Sequence, residues 1–438
     1  MNNIQINDPT LNAGQRAAVE AFFGELFNTS KEFIISGPAG VGKTFLMKYI
    51  INNTMPQYLE MCSMMGIKPV FTNVVLTATT NKAAEVLGMA VGMPAQTIHS
   101  YLNLRVKNNY STGSVDLIKT RNWDIKEQVI IFIDEASMID HRLYDLLQES
   151  TFKCKIVYVG DHNQLPPVME SLSKIYLNKK TPFFELTEPM RNANQPALMN
   201  VCQQLRTTVE TGEFKPIATV PGVIDLLDDT QLEAMLQKEF VTQNLNARIL
   251  AYSNARVLQY NDYIRAFRQL PPDYQAGEWL VNNSSVKVTP KSSISVETLV
   301  KIVQVGSLQV EQLPHQGQLE YFPAKIETEY GMVFDHVKIP KDKAHFMALA
   351  NYYAKAKIWD THYMLKETYL DLRPREATTV HKAQGSTYDT VFIDLQNIST
   401  CKKPDEAARL LYVAFSRARN RIFLYGELAP KFGGLLKN

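Results

Sequence analysis

The sequence predicts an α/β protein with two blocks of parallel β-sheet, the second of which is interrupted by a β-rich insertion. In both blocks, apolar runs that end in short polar or glycine-containing loops alternate with helical patterns, which is typical of βα units. One of these runs leads directly into a glycine-rich loop and a helix. The stretch 266–373 differs, because it contains short β-rich runs followed by a long helical pattern.

Composition limits the class of protein to which the chain can belong. Of its 438 residues, 45% are apolar and 21% are charged, and the net charge is +2. These values are typical of a folded soluble protein, and any nucleic acid would have to bind a local basic groove. The four cysteines are widely separated, which argues against a zinc site or a disulfide scaffold and indicates a reducing compartment. The chain has neither a signal-peptide pattern nor an apolar run of membrane-spanning length, so we expect a cytoplasmic protein.

The first predicted strand leads into a phosphate-binding loop. Residues 33–50 read FIISGPAGVGKTFLMKYI and contain the complete pattern G-x-x-x-x-G-K-[ST]. The glycines allow backbone N–H groups to surround phosphate oxygens, the lysine neutralises the β- and γ-phosphates, and the threonine hydroxyl ligates Mg²⁺. An ordinary glycine-rich turn is the alternative, which the flanking strand and helix disfavour. The predicted nucleotide-binding residues are Gly37, Pro38, Ala39, Gly40, Val41, Gly42, Lys43 and Thr44.

A second apolar strand, in VIIFIDEASMID (129–140), ends in two carboxylates. Open parallel sheets bind ligands at the carboxyl ends of their strands, where Asp134 and Glu135 are expected. Asp134 suits a Mg²⁺ ligand, and Glu135 suits the base that orients an attacking water. Surface acidic pairs are common, but this pair follows a complete phosphate-binding loop. The two motifs predict a protein that binds and hydrolyses a nucleoside triphosphate with Mg²⁺.

A third strand, in KIVYVGDHNQLPPV (155–168), places Gln164 in the loop beyond it. An amide there could hydrogen-bond both the γ-phosphate and a second ligand, and would so couple the two. In isolation, a polar loop residue would be the better interpretation.

Nine short motifs, in order and over nearly the whole chain, resemble those of the superfamily 1 nucleic-acid helicases, and within them the RecD-like and phage Dda-like 1B branch. Each motif is weak alone, whereas nine in the family's order are specific. They are LNAGQRAAVEAFF (11–23), GPAGVGKT (37–44), LTATTNKAAEVL (76–87), TIHSYL (97–102), FIDEASM (132–138), GDHNQLPPV (160–168), ELTEPMRN (185–192), TTVHKAQGSTYDTVFID (378–394) and YVAFSRARN (412–420).

The resemblance implies catalytic and nucleotide-contacting roles for four further residues. Gln15 would read the adenine edge, Arg191 would contact the γ-phosphate, and Gly385 would lie in the cleft. Arg417 aligns with the arginine finger, which stabilises the loose transition state of phosphoryl transfer from a second domain. The residue before Arg191 is Met190, where many 1A relatives have an aromatic that stacks on adenine, so base selectivity would depend on Gln15.

The resemblance also implies residues that contact DNA. His99 and His381 could equally be hydrogen-bonded structural histidines, and Arg419 and Arg421 are expected to be solvated or near DNA. The implied DNA-binding set is Thr79, Asn81, Lys82, His99, Tyr110 and His381.

The family's domain plan predicts two RecA-like P-loop domains with parallel sheets and two insertions. Residues 1–189 would form domain 1A, in which 103–126 form a β-hairpin pin with Tyr110 near its tip. Domain 2A would comprise 190–265 and 374–438. Residues 266–373 would form domain 2B, an SH3-like β-barrel with a helical part.

The function implied is that of an ATP- and Mg²⁺-dependent DNA helicase that moves 5′→3′ on single-stranded DNA in replication, recombination or repair. Its partners would be single-stranded DNA, duplex junctions, and a single-strand-binding protein or replisome component. We expect a monomer in a bacterial or phage-infected cytoplasm. A protein-displacing translocase and an RNA helicase use the same motor and remain alternatives. Glu135, Gln164 and Arg417 argue against a non-motor, ATP-switched binding protein.

Overall fold

The computed structural model describes residues 8–109, 115–167, 170, 172–188, 195–289, 292–294, 296–315 and 317–436. Within these ranges, no helix combines the length and the apolar character needed to cross a bilayer.

The N-terminal part of the chain alternates strands with helices. A π-helical turn, Ile50–Thr54, joins α2 to α3. In chain order the elements are α1 (Ala13–Glu25), β1 (Glu32–Ser36), α2 (Lys43–Tyr49), α3 (Met55–Met64), β2 (Asn73–Ala78), α4 (Asn81–Val91), β3 (Ala95–Thr97), α5 (Ile98–Tyr101), β4 (Leu104–Asn108), β5 (Val115–Lys119), β6 (Lys126–Glu127), β7 (Val129–Asp134), α6 (His141–Glu149), β8 (Thr151–Phe152), β9 (Lys155–Gly160) and β10 (Phe183–Glu185).

Six of these strands form a parallel sheet in the order β10-β1-β9-β7-β2-β3. The central strands are buried on both faces, which explains why their sequences are continuous apolar runs. The register places Ser36 beside Gly160 and Ala78 beside Asp134. The loops that follow β1, β7, β9 and β2 therefore meet at one edge of the sheet.

A two-stranded antiparallel ribbon leaves this sheet after α5. Strands β4 and β5 pair from Leu104 with Lys119 to Asn108 with Val115. At the base, the backbone N–H of Thr120 donates to the carbonyl of Asn103 at 3.0 Å. Residues 110–114, which include Tyr110, lie outside the described residues.

The remainder of the chain contains a second βα block and a β-rich insertion within it. Its elements are α7 (Pro196–Thr211), β11 (Ile217–Ala218), β12 (Ile224–Leu227), α8 (Asp229–Phe240), β13 (Ala247–Ala251), α9 (Asn254–Phe267), β14 (Trp279–Asn282), β15 (Val286–Thr289), β16 (Ser292–Ile294), β17 (Leu299–Val305), β18 (Gln309–Leu313), β19 (Gly317–Thr328), β20 (Val333–Pro340), α10 (Lys343–Lys355), α11 (Trp359–Thr368), β21 (Leu372–Pro374), β22 (Ala377–Thr379), α12 (Val380–Ala383), β23 (Tyr388–Asp394), α13 (Leu395–Ile398), α14 (Pro404–Phe415), β24 (Ala418–Tyr425) and β25 (Leu435–Leu436).

The second block is built on a five-stranded parallel sheet in the order β12-β24-β23-β13-β22. The chain leaves this sheet after α9 and returns at β22, which pairs directly with β13. Helix α14 is almost entirely buried, and it packs with α7 in the core of this block. Parallel sheets in two βα blocks confirm the α/β fold class predicted from the sequence.

The insertion forms an antiparallel sheet in the order β18-β19-β17-β14-β21, with β20 also paired to β19. Its core contains Val300, Ile302 and Ile326. A second cluster, around Phe346 and Tyr353, packs α10 and α11 against strands of the sheet. The ribbon of the first block reaches this insertion, because the Asn108 side-chain amide donates to Glu367 of α11 at 2.6 Å.

Candidate functional site

The phosphate-binding loop connects β1 to α2. Its backbone requires glycine at one position because of a left-handed conformation and at another because of a close contact. Gly42 caps α2 with a φ of 82°, in the left-handed region that favours glycine. At Gly37 a side chain would collide with the carbonyl oxygen of Leu186. The loop therefore lies close against the end of β10, with the N-terminus of α2 directed at its centre.

The Lys43 ammonium lies inside this loop. Its Nζ donates to the carbonyl oxygens of Gly37 at 2.7 Å and Pro38 at 2.9 Å. Burial lowers the pKa of Lys43, and the nearby carboxylates of Asp161, Glu135 and Asp134 oppose that shift. Acidic groups from the ends of two strands, β7 and β9, are therefore close enough to act on one cation.

Gln15 is fully buried and bonds to the phosphate-binding loop from helix α1. Its side-chain oxygen accepts from the backbone N–H of Asn12 in a capping box of α1, and its Nε2 donates to the carbonyl of Val41 at 3.3 Å. The amide oxygen therefore fixes the start of α1, and the amide nitrogen bonds to the loop. Adenine recognition by Gln15 stays a prediction.

The two carboxylates at the end of β7 lie in a tight turn. Glu135 has a φ of 52°, which is unusual for a residue other than glycine and is held by the surrounding contacts. Thr79 supplies two of these contacts, since its N–H donates to the carbonyl of Asp134 and its hydroxyl to that of Glu135, both at 3.3 Å. Thr79, predicted to contact DNA, thus holds the acidic turn.

Burial and the neighbouring Glu135 raise the pKa of Asp134 to about 7, although Lys43 opposes the shift. The turn therefore concentrates negative charge that the protein alone does not fully neutralise. A carboxylate at the end of β7 and the Thr44 hydroxyl in the first turn of α2 are donors of the type that Mg²⁺ prefers. The residues present fit a Mg²⁺–nucleotide complex.

Replacing Asp134 with asparagine should raise the melting temperature, and the gain should be larger at pH 8 than at pH 5. Because the folded-state pKa exceeds the ordinary 3.8, deprotonation opposes folding, and stability falls as pH rises from about 4 to about 7. We expect a difference of roughly 2–5 °C between the two gains, measured by calorimetry without Mg²⁺ or nucleotide. Asp389→Asn, at the surface, is the control. Equal gains in melting temperature at both pH values would contradict the raised pKa of Asp134.

The loop after β9 brings Gln164 to the same edge of the sheet. The residue is 4% exposed, and its Oε1 has no hydrogen-bond partner among the described residues. A buried amide oxygen of this kind can accept a hydrogen bond from a ligand or a water. Gln164 therefore lies where the sequence predicts, with an acceptor to offer.

Tyr176 is a candidate site residue that the sequence analysis did not identify. Its hydroxyl is also buried without a described partner, and a Cβ added to Gly160 would lie 3.2 Å from it. Burial, together with Asp161 and Glu135, raises the pKa of Tyr176 well above its usual value. A neutral hydroxyl donor therefore lies beside the acidic loops; no short motif marks it in the sequence.

The second block contributes a loop to the same site. A Cβ added to Gly385 would lie 3.5 Å from Oε1 of Glu135, and the Gln384 amide donates to the Ser137 hydroxyl at 3.2 Å. The loop between α12 and β23 thus faces the acidic turn of the first block. The site is formed at the boundary between two sheets.

Arg417 lies beside this loop and is 3% exposed. Its guanidinium donates to the carbonyls of Val413 and Ser386, both at 3.1 Å, and to the Ser416 hydroxyl at 2.9 Å. It therefore contacts the segment that faces Glu135. Arg191, the other predicted γ-phosphate contact, lies outside the described residues, as does Met190.

The two arginines after Arg417 lie at the surface as predicted, and each forms an ion pair within the second block. Arg419 pairs with Asp389 at 3.4 Å, and Arg421 pairs with Asp225 at 2.8 Å. These pairs need no DNA to explain them.

The predicted DNA-contacting residues occupy matching positions in the two sheets. In the first, β2 ends at Ala78 beside Thr97, the last residue of edge strand β3; in the second, β13 ends at Ala251 beside Thr379 of edge strand β22. We call these the twin units: 78–81 with 97–99, and 251–254 with 379–381.

Each twin unit has two capped helix starts. Thr97 and Thr379 accept from the backbone N–H three residues later, at 3.1 and 3.4 Å. His99 and His381 are the second residues of the helices so capped, and burial lowers the pKa of both. Asn81 and Lys82 are exposed at the start of α4, and Asn254 is the matching exposed residue of α9. The sequence analysis missed Tyr252 and Asn254, whose signal is the pattern A-x-[TS]-N shared by ATTN (78–81) and AYSN (251–254).

Two protein-family models match the chain. A model described as an AAA domain matches residues 10–218, and one described as a UvrD-like helicase C-terminal domain matches residues 376–425. The first covers the block with the phosphate-binding loop, and the second covers the segment with Gly385 and Arg417.

Several known helicases are similar to the chain along most of its length. The ATP-dependent DNA helicase Dda of Enterobacteria phage T4 is 25% identical over 94% of this chain and 98% of its own. The ATP-dependent DNA helicase Pif1 of Bdellovibrio bacteriovorus is 22% identical over 90% of this chain and 84% of its own. The solved structure of Pif1 helicase from Bacteroides, in complex with ADP-AlF3 and ssDNA, shares 14% identity, covers 95% of this chain and 93% of its own, and has a TM-score of 0.51, which supports the same fold.

Proposed function

This chain belongs to the superfamily 1B DNA helicases of the Pif1, RecD and Dda type, and we propose that it hydrolyses ATP to move 5′→3′ along single-stranded DNA. It is an ATP-dependent DNA helicase. One observation supports the motor mechanism above the others: the loop that carries Gly385 in one sheet block faces Glu135 in the other. Closing or opening that boundary would change both the ATP site and the spacing between the twin units.

The phosphates of ATP would be bound by the backbone N–H groups of residues 37–44 and by the Lys43 ammonium. Thr44 and Asp134 would hold Mg²⁺, which when bound neutralises phosphate charge. Glu135 would orient the attacking water and accept its proton. Gln164 would hydrogen-bond near the γ-phosphate, and Arg417 would stabilise charge in the transition state.

We assign residues 1–189 to domain 1A, 190–265 with 374–438 to domain 2A, and 266–373 to domain 2B. The two parallel sheets and the antiparallel insertion support these boundaries. The twin units would bind the strand, one from each domain, with Asn81, Lys82 and the two histidines near its phosphates. Single-stranded nucleic acid is normally bound by basic and aromatic groups together, which also makes Tyr252 a candidate contact.

We propose that the ribbon β4–β5, within 103–126, is the strand-separating pin and that Tyr110 contributes to strand separation. The hydrogen bond from Asn108 of the ribbon to Glu367 supports this role, because a pin that separates base pairs must be held in place. The same glutamate forms an ion pair with Lys287 of the insertion, which we interpret as the SH3-like domain 2B. This contact would thus connect the pin to domain 2B.

The test is ATP-driven opening of two duplexes that share one sequence and differ only in a 5′ or a 3′ single-stranded tail. We expect the 5′-tailed duplex to open and the 3′-tailed one to remain closed. Opening of the 3′-tailed duplex alone would overturn the proposed polarity. If DNA stimulates hydrolysis but neither duplex opens, the pin assignment falls and a protein-displacing translocase is favoured. Preferential opening of RNA duplexes would favour the RNA helicase.

A further inference from the structure

The loop that carries Gln164 is bound by the second block through a buried carboxylate. Asp161, three residues before Gln164, accepts from the Tyr412 hydroxyl at 2.6 Å and from Nη1 of Arg206 at 2.9 Å. Asp161 and Tyr412 are each 1% exposed and Arg206 is 4% exposed. Tyr412 lies on α14 and Arg206 on α7, so both donors belong to the second block.

Helix α14 also holds this loop at a second point. Nη1 of Arg409 donates to the carbonyls of His162 and Gln164, each at 2.7 Å. Arg409 and Tyr412 are three residues apart and therefore share one face of the helix. One helix face thus holds the loop at both ends, and Leu165, the next residue, is buried in the hydrophobic core of the second block.

The same helix leads to Arg417. Helix α14 ends at Phe415, and Nε of Arg417 donates back to the carbonyl of Val413 in its last turn at 3.1 Å. Because the helix is close-packed from Ala407 to Phe415, a displacement of one end is transmitted to the other. A movement of the Gln164 loop would therefore be carried to the arginine.

Three potential metal ligands near Arg206 have the spacing of a metal site, but the arginine already supplies the positive charge there. His162, Glu185 and Glu210 place ligand atoms within 4.8 Å of one another. Arg206 pairs with Glu185 and, at 3.4 Å, with Glu210, so its guanidinium supplies the positive charge there. We therefore interpret the cluster as part of the contact between the blocks.

We propose that Arg409 and Tyr412 are positioning residues that couple Gln164 in the first block to Arg417 in the second. Contact of the Gln164 loop with the γ-phosphate would move α14 and so set the position of the arginine. This inference rests on the proposed function and adds residues that transmit its central step.

The chain offers a matched control for Tyr412. Tyr260 donates to the buried Asp394 at 2.8 Å, and Nε of Arg256 lies 2.6 Å from the same carboxylate. This Tyr–Asp–Arg arrangement has the same chemistry but lies wholly within the second block. Tyr412→Phe and Tyr260→Phe each remove one buried hydroxyl, so a general loss of stability should affect both.

The experiment compares these variants in ATP hydrolysis at saturating single-stranded DNA. We expect Tyr412→Phe to lower kcat about tenfold, with the KM for ATP and the affinity for DNA within about twofold of wild type. Tyr260→Phe should keep the wild-type kcat, and both should show similar shifts in melting temperature. Arg409→Lys keeps the charge but lacks the planar donor geometry, so it should also lower kcat.

Equal kcat values for Tyr412→Phe and Tyr260→Phe would overturn the coupling role. So would a Tyr412→Phe variant that raises KM with kcat unchanged, because that pattern indicates weakened ATP binding alone. If hydrolysis by the wild-type protein does not respond to DNA, the proposed function itself falls and this inference with it. The wild-type control therefore distinguishes the two failures.

Discussion

Lys43→Ala should reduce ATP turnover about a thousandfold or more while single-stranded DNA binding stays within about twofold of wild type. A loss of that size corresponds to about 4 kcal/mol of transition-state stabilisation, which is typical for removal of a preorganised charge. Lys43 is the cation inside the phosphate-binding loop, where it bonds to two loop carbonyls. The predicted DNA contacts lie on other loops, so the strand should still bind.

Lys48→Ala is the matched control for this variant. Lys48 lies on the same helix, α2, but is exposed. Steady-state hydrolysis with saturating oligo-dT and fluorescence anisotropy of a labelled strand would measure the two properties separately. Near-wild-type turnover in Lys43→Ala would refute the nucleotide site. Loss of DNA binding would instead show that the ATP site and the DNA contacts cannot be separated.

Arg417→Ala should lower kcat by about a thousandfold, with a much smaller effect on ATP binding. Arginine fingers contribute about 10³–10⁵ in kcat because their planar charge acts on the transition state more than on bound substrate. The change also leaves the carbonyls of Val413 and Ser386 without this donor. A melting curve should therefore accompany the kinetics, and Arg417→Lys, which retains a charge, should recover stability better than turnover.

Arg419→Ala is the control for that experiment, since this arginine lies two residues away and is half-exposed. It should hydrolyse ATP at close to the wild-type rate. If Arg417→Ala also keeps its kcat, the arginine finger must be sought elsewhere, and Arg191 becomes the first candidate. Single-turnover measurements with tightly bound ATP would separate a defect in chemistry from one in binding.

The strands and the loops at their ends could be predicted from the sequence because both depend on local patterns. Asp134 and Gln164 each follow a continuous apolar run, and parallel pairing brings the carboxyl ends of such runs to one edge. The phosphate-binding loop has an equally local signature. The β-rich character of the insertion could be predicted from short β-rich runs without nucleotide motifs, whereas its SH3-like fold stays a prediction.

The contacts between the blocks could not be predicted in this way. Arg206 and Arg409 lie within amphipathic helical patterns, where arginine is usually solvent-exposed. They meet the Asp161 loop only because α7 and α14 pack together beside it. Gln15 shows the same limit, since its bond to Val41 depends on how α1 lies against the first sheet.

The twin units relate the step size of the protein to the distance between its two parallel sheets. They share the same backbone register and the same Thr-x-His arrangement, so in the proposed mechanism a bound strand would meet the same backbone geometry twice. At the matching positions the two units differ in chemistry, with Thr79 against Tyr252 and Lys82 against Ala255. In the proposed mechanism the gap between the units changes during a cycle, so rigid-body geometry would set the number of nucleotides advanced per ATP.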